Sequence, residues 1–146
     1  MKTFSLDHCL FHCSFPIEKH ISKKNNRPVV NGHLIKSAKL RNAEKYLIEK
    51  FTYYKNMQKI EKPFNEPLWL IMHFIFPRED YYTKQSKYTQ RSKFVPDLSN
   101  MYEIVQDCLQ SAGVIKDDAL VESHDLSRRL VGREMRLEVF LLKYEP

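Results

Sequence analysis

Carboxylates gather between Pro96 and Asp118, in a chain that is otherwise basic. Asp97 directly precedes a helical pattern, and the pair Asp117 and Asp118 follows that pattern after a glycine. Carboxylate oxygens are ligands that Mg²⁺ prefers, and a bound cation relieves the repulsion between neighbouring acids. Such a metal can activate a water and stabilise the charge that builds on a phosphodiester. Acids within a basic surface therefore indicate metal-dependent nuclease chemistry.

A predicted helix and a return leg separate these acids along the chain. A helix over residues 99–110 rises roughly 17 Å at 1.5 Å per residue, and Gly113 allows a reversal. The return over residues 111–118 covers at most about 23 Å if it is extended. It is therefore long enough to bring the Asp-Asp pair back beside Asp97. The competing interpretation is an ordinary helix cap at Asp97 and a solvated turn at the pair.

Hydrophobic periodicity predicts the elements that must position these residues. Strands are predicted over Thr3 to Phe15, Leu68 to Phe76, Leu120 to Leu126 and Arg136 to Lys143, with Gly132 at the turn between the last two. One helix is predicted from a Ser37 cap to about Met57, and a second from Asp97–Asn100 to near Ser111. A hairpin is predicted at Asn31-Gly32. The apolar side of the second helix comprises Met101, Ile104, Val105, Cys108 and Leu109. This order predicts a single domain over residues 1–146, of the α+β or mixed α/β class.

The composition supports one folded domain with an uneven charge. The chain has 146 residues, 42% of them hydrophobic, and a net charge of +6. Residues 17–62 carry twelve Lys and Arg against four acids, whereas residues 97–146 carry six against ten. No apolar run is long enough to cross a bilayer, and no signal peptide is evident. Three cysteines do not suggest a disulfide framework, so we expect a cytoplasmic protein.

Two basic segments are candidates for contact with nucleic acid. The polar stretch over residues 78–95 interleaves tyrosines with cations, which suits phosphate contacts and stacking on unpaired bases. The second segment lies near residue 25 and could contact phosphate. The candidate residues are Lys84, Lys87, Tyr88 and Arg91 in the first segment, and Lys23, Lys24, Asn26 and Arg27 in the second. As bare composition, each is also typical of a solvated loop.

The residues His8, Cys9, His12 and Cys13 could be taken for half of a zinc site. On the predicted strand, however, the two cysteines face one side and the two histidines the other. No second pair with suitable spacing follows in the sequence, so ordinary strand packing is favoured.

The stretch from Asp97 to Asp118 resembles the RusA family of Holliday-junction resolvases, in which an Asp-Leu-Asp-Asn helix start is followed by a helical Asp, an Ala-Gly reversal and an Asp-Asp pair. The matching residues here are Asp97, Leu98, Ser99, Asn100, Asp107, Ala112-Gly113 and Asp117-Asp118. The resemblance implies a mixed sheet with two main helices, and a homodimer that does not enter a membrane. It also implies paired, Mg²⁺-dependent cuts across four-way DNA junctions, with Mn²⁺ as a substitute metal.

Two departures from the family pattern affect the implied site. Ser99 stands where the family has a second acid, and Glu103 stands where it has a lysine. Position 103 lies one turn beyond 99, so Glu103 can present a carboxylate on the same face. We therefore expect Asp97, Asp117, Asp118 and Glu103 as metal ligands.

The remaining site roles follow from the same resemblance. Lys93 or Lys116 would supply the positive charge of the lost lysine, while Ser99, Asn100 and Asp107 would support the site. The alternatives left open are a junction-binding protein that no longer cuts, and an adaptor unrelated to DNA.

Overall fold

The computed structural model describes residues 3–17, 29–30, 33–34, 38–81 and 98–146, with only the backbone described at 29–30, 33–34 and Asp80. In chain order the strands are β1 (Phe11–Pro16), β2 (Val29–Val30), β3 (His33–Leu34), β4 (Leu68–Pro77), β5 (Val121–Ser123), β6 (Arg128–Gly132) and β7 (Arg136–Lys143), and the helices are α1 (Ala38–Met57), α2 (Arg78–Tyr81) and α3 (Leu98–Ser111). Short 3₁₀ helices occupy Leu6–His8 and Asp118–Leu120.

A mixed five-stranded sheet lies at the centre of the fold, in the order β1-β7-β4-β5. β7 pairs antiparallel with both β1 and β4. On its other side β4 pairs in parallel with β5 near Leu68 and with β6 from His73 to Pro77. The predicted fold class, a mixed sheet with two main helices, is confirmed.

The main core lies between the sheet and the helices α1 and α3. The alternate residues of β4 enter this core, and they are Leu68, Leu70, Met72, Phe74 and Phe76. The five residues predicted for the apolar side of α3 are all buried. On the opposite face of the sheet, Ile71, Phe140 and Leu142 form a smaller cluster with Phe4, Cys9 and Trp69 packed against it. Burial of both faces accounts for the continuous apolar run of β4.

Helix α1 also covers the outer edge of β1, the edge strand of the sheet. Gln58, just after the helix, accepts a hydrogen bond from the His12 amide at 3.2 Å and donates one to the His12 carbonyl at 2.6 Å. The hydroxyls of Tyr54 and Tyr46 donate to the carbonyls of Ser14 and Pro16. These bonds satisfy backbone groups that an edge strand would otherwise present to another chain.

The prediction of a strand from residue 3 was wrong for its first half. Ser5 accepts a hydrogen bond from the Asp7 amide and caps the 3₁₀ helix, so the strand begins only at Phe11. Local capping by serine competes successfully with a short alternating pattern. Cys13 consequently lies in the main core, whereas Cys9 lies in the smaller cluster and His12 stacks on Phe140.

The region after α3 also differs from the prediction. The strand expected over residues 120–126 is reduced to β5, because Leu126 adopts a positive φ of 71° and turns the chain. The strand β6 was missed, and Gly132 is its last residue rather than part of the turn. A Cβ on Gly132 would lie 2.6 Å from Cγ2 of Ile75, so glycine is needed there for close packing against β4.

Two of the remaining boundaries agree with the sequence, and one does not. The hairpin is confirmed, since Val29 pairs with Leu34 and Val30 with His33. Helix α1 ends at Met57 as expected, while its predicted Ser37 cap lies outside the described residues. The stretch expected to be a loop from Arg78 begins instead with the short helix α2, and residues 82–97 are not described.

Candidate active site

The pair Asp117 and Asp118 lies at the end of α3, where the chain enters a 3₁₀ helix. The Asp117 carboxylate accepts a hydrogen bond from the Ala119 amide at 2.9 Å and so caps that helix. The Asp118 amide donates to Oε1 of Gln110 at 3.1 Å. Both acids and the neighbouring Lys116 are exposed. No described residue donates a hydrogen bond to the Asp118 carboxylate, which leaves its oxygens accessible to a ligand.

The return leg after Gly113 takes a different course from the predicted one. Gly113 has a φ of 76° and ends the helix as expected. The chain then pairs with Phe64, whose amide donates to the Val114 carbonyl at 2.9 Å and whose carbonyl accepts from the Lys116 amide at 3.0 Å. Val114 and Ile115 are fully buried in the main core, so this segment is held beside Phe64 and does not run back along α3. Asp118 therefore lies beside the last turn of the helix. How close it comes to Asp97 stays a prediction, because Asp97 lies outside the described residues.

The segment that does run back along α3 is the connection between β5 and β6. His124 hydrogen bonds through Nε2 to Oε1 of Gln106, and its ring lies 4.7 Å from the ring of Tyr102. Burial lowers the pKa of His124 below its usual value. Burial also raises the pKa of Tyr102, partly offset by a hydrogen bond with Ser127.

Ser127 connects this contact to the sheet. Its hydroxyl accepts a hydrogen bond from the Met72 amide at 2.9 Å and contacts the Leu70 carbonyl at 3.3 Å. The contacts of Tyr102, His124 and Ser127 thus fix α3 relative to β4, and sequence reasoning did not identify them. Isolated Tyr, His and Ser residues carry no local pattern, so no signal in the sequence could have selected them.

The exposed side of α3 carries the two positions that depart from the family pattern. Ser99 and Glu103 are both exposed and lie one turn apart, so the predicted shared face is confirmed. Gln110 is exposed on the same side two turns further on. Asn100 and Asp107 are half-buried and lie two turns apart on another face of the helix. A carboxylate at position 103 is therefore available to solvent and to ligands.

Much of the predicted site lies outside the described residues. This applies to Asp97 and Lys93, and to the candidate DNA contacts Lys23, Lys24, Asn26, Arg27, Lys84, Lys87, Tyr88 and Arg91. Within the part of the chain that is described, no three acidic, histidine or cysteine side chains gather as a metal site. Asp118 and Glu103 offer the oxygen ligands that suit Mg²⁺. They need at least one further acid, such as Asp97, to complete a site.

A family model matches most of the chain. A family model described as Endodeoxyribonuclease RusA matches residues 14–141, from β1 to β7. A search of curated proteins gives no significant match. The matched span contains α3, the Asp117–Asp118 pair, the strands β4, β5 and β6 and most of β7, and it begins within β1; it leaves out the N-terminal 3₁₀ helix and the residues after Leu141.

Proposed function

The chain belongs to the RusA endodeoxyribonuclease family, and from this premise we propose that it resolves four-way DNA junctions by paired, Mg²⁺-dependent cuts. The family implies a nuclease of the Holliday-junction resolvase type, which acts on branched DNA in recombination. The family match over residues 14–141 is the observation that carries the proposal, because it spans the sheet, α3 and the exposed acids together.

The metal ligands in this proposal are Asp97, Asp117, Asp118 and Glu103. Asp118 and Glu103 are exposed carboxylates near opposite halves of α3, and Asp117 keeps one oxygen beyond the one that caps the 3₁₀ helix. A bound Mg²⁺, or Mn²⁺ in its place, would activate water and stabilise negative charge on the phosphate. Lys93 or Lys116 would add positive charge beside the scissile phosphate. Lys116 is exposed and directly precedes the acidic pair.

The remaining proposed roles concern DNA binding and assembly. Asn100 would hold the start of α3, with Ser99 and Asp107 as further supporting residues. The basic residues near position 25 and between 84 and 91 would contact phosphates and unpaired bases. A two-fold homodimer would present two equivalent sites and so explain cuts in opposed strands.

The location is proposed to be the cytoplasm, because the cysteines Cys9, Cys13 and Cys108 are free and suggest no disulfide framework. None of the helices that the structure describes combines the length and apolar character needed to span a bilayer.

A second candidate is a junction-binding protein of the same fold that does not cut. The exposed Ser99 favours it, because this position in the family pattern carries an acid and serine is a poor ligand for Mg²⁺. Glu103 decides between the candidates, since it either replaces the missing carboxylate or marks a lost site.

Cleavage of a synthetic four-way junction tests the proposal. The wild-type protein should bind the junction in a salt-sensitive way and nick two opposed strands only with Mg²⁺ or Mn²⁺. Asp118→Asn should bind equally well but cut at least about a hundredfold more slowly, since loss of a group that merely supports a ligand already costs ten- to a hundredfold. Glu122→Ala, which removes an exposed acid on β5, is the matched control.

Each other result has a defined meaning. Full cleavage by Glu103→Ala rejects Glu103 as the replacement ligand. Binding without any nicking by the wild-type protein supports the non-cutting candidate. Absence of salt-sensitive junction binding rejects both and supports an adaptor unrelated to DNA.

A further inference from the structure

A groove lined by aromatic side chains opens where the two ends of the chain meet the sheet. Its volume is about 500 Å³, and it lies between the N-terminal segment, the start of β4 and the end of β7. The aromatic side chains are Phe4, Trp69 and Tyr144, and the polar ones include His8, Ser123 and Lys143. Such a mixture of fixed rings with a few polar groups is typical of a ligand site.

The rings of this groove are held in place by the fold. Nε1 of Trp69 donates a hydrogen bond to the Asp125 carbonyl at 2.8 Å. Phe4 packs edge-on against Trp69 with ring centroids 6.3 Å apart and contacts Phe140 at 4.9 Å. The Tyr144 amide donates to the Pro67 carbonyl at 3.0 Å, which fixes the chain beside β4. A ligand would therefore meet the rings of Trp69 and Phe4 in an orientation that is already set, which lowers the ordering cost of binding.

The lining of the groove reaches β5, the strand that follows the exposed acids in the chain. Ser123, in its lining, is the last residue of β5 and comes five residues after Asp118. Five residues span at most about 17 Å even when fully extended. Most of the groove lies on the face of the sheet opposite α3, so a DNA strand whose phosphate contacted Asp118 would reach the groove by passing around the edge formed by β5.

Most of the groove lies outside the span that the family model matches. Eight of its ten lining residues lie before residue 14 or after residue 141, since only Trp69 and Ser123 fall within the matched span. A ligand of this groove is therefore not implied by the family match itself.

We propose that this groove binds an unpaired nucleobase of the DNA strand that enters the active site. This inference rests on the proposed function, and it assigns a site that senses unpaired bases on the face of the sheet opposite α3. A base would stack on the rings of Trp69 and Tyr144, as aromatic side chains do in proteins that bind single strands. The exposed ammonium of Lys143 at the rim would contact the adjoining phosphate, while Glu145 on the same rim disfavours a second phosphate.

The sole tryptophan of the chain makes the inference directly measurable. Stacking of a base on Trp69 should quench its fluorescence, so the full-length protein is titrated with a short oligothymidylate and with a four-way junction carrying unpaired thymines. Quenching should saturate with both. Tyr144→Ala and Lys143→Ala should each weaken oligothymidylate binding, Tyr144→Ala by about tenfold. Tyr53→Ala and Lys62→Ala, which change an exposed tyrosine and an exposed lysine elsewhere, are the matched controls.

Either of two results would overturn the inference. One is unchanged Trp69 fluorescence at DNA concentrations that saturate junction binding, which would leave an apolar peptide as the occupant to test. The other is equal loss of affinity in the groove variants and their controls.

The same titration separates this inference from the proposed function. Quenching by oligothymidylate without any junction cleavage upholds the base site and rejects the nuclease. Cleavage without quenching rejects the base site and leaves the nuclease standing. A variant that fails to fold is recognised by its circular dichroism, and Trp69→Phe then tests the site by filter binding with a smaller change in packing.

Discussion

The backbone amide of Asp118 donates a hydrogen bond to the side-chain oxygen of Gln110, in the last turn of α3. This contact places the second acid of the pair at the C-terminal end of the helix, whereas Asp97 directly precedes its first residue, Leu98. The two ends of one helix thus carry the acids from which the proposed metal site is built.

Gln110→Ala should reduce junction cleavage by about tenfold, the usual effect of removing a group that positions a ligand. The side-chain oxygen of Gln110 holds the Asp118 backbone in place. A higher Mg²⁺ concentration should therefore restore part of the cleavage rate that the variant loses. Because Gln110 is exposed, the free energy of unfolding should fall by less than about 1 kcal/mol. Cleavage rates over a Mg²⁺ series and urea unfolding measure the two effects. Ser111→Ala is the control, and cleavage equal to wild type at every Mg²⁺ concentration would contradict the role.

Mixing two inactive variants should restore cleavage of one strand. Helix α3 rises about 18 Å between Leu98 and Gln110, so in the proposed dimer we expect Asp97 of one chain to share a site with Asp118 of the other. A mixed dimer of Asp97→Asn and Asp118→Asn then contains one intact site and one doubly altered site. Co-refolded chains are assayed for nicked against linearised junction product. Inactive mixed dimers would show that each site draws all its acids from one chain.

Acidification below about pH 6.5 should destabilise the protein through two histidines. Burial lowers the pKa of His73 and His124 from the ordinary 6.5, and in His73 a hydrogen bond to the Leu126 carbonyl offsets part of this. Since the unfolded chain then binds more protons, the free energy of unfolding falls as the pH drops below 6.5, and it levels off below the folded pKa. Above 6.5 both states are neutral and this contribution is constant.

The contribution of His124 can be isolated by substitution. His124→Gln keeps a donor for Gln106 and removes the titration, so its urea midpoint should depend less on pH between 6.5 and about 5.5. The exposed His8, changed to Gln, is the matched control. An unchanged pH slope in His124→Gln would assign the destabilisation to other groups.

Gln58→Ala should destabilise the fold and promote self-association. The substitution removes both hydrogen bonds to His12 and uncovers part of the β1 edge. We expect the free energy of unfolding to fall by about 1 kcal/mol, because water can replace the two lost hydrogen bonds to His12. We also expect light scattering to show an increase in larger species. Asn56→Ala, at an exposed polar residue in the same helix end, is the comparison. Unchanged scattering at high protein concentration would show that the two tyrosines protect the edge by themselves.

Long periodic elements could be predicted from the sequence, whereas short elements could not. The apolar face of α3 follows from helical spacing, and all five of its predicted residues are buried because burial of that face stabilises the helix. β5 and β6 are too short to show a period, and their pairing with β4 is decided by contacts such as Ser127 with Met72. The 3₁₀ helix at Leu6–His8 was not predicted, because its Ser5 cap is a single residue and the surrounding residues show a weak strand-like alternation of apolar and polar side chains.

By itself, the sequence determined the family, the mixed sheet with two helices and the residue types of the candidate site, since these follow from ungapped local motifs and hydrophobic period. Only the tertiary structure decided where the Asp117–Asp118 pair stands. The number of residues in a segment sets the greatest distance that the segment can span. Its direction depends on where its apolar side chains can be buried. Val114 and Ile115 are buried beside Phe64, so the return leg is held in the core there, and the Asp118 amide donates its hydrogen bond to Gln110. The aromatic groove arose in the same way, because it joins Phe4, Trp69 and Tyr144 from three distant parts of the chain.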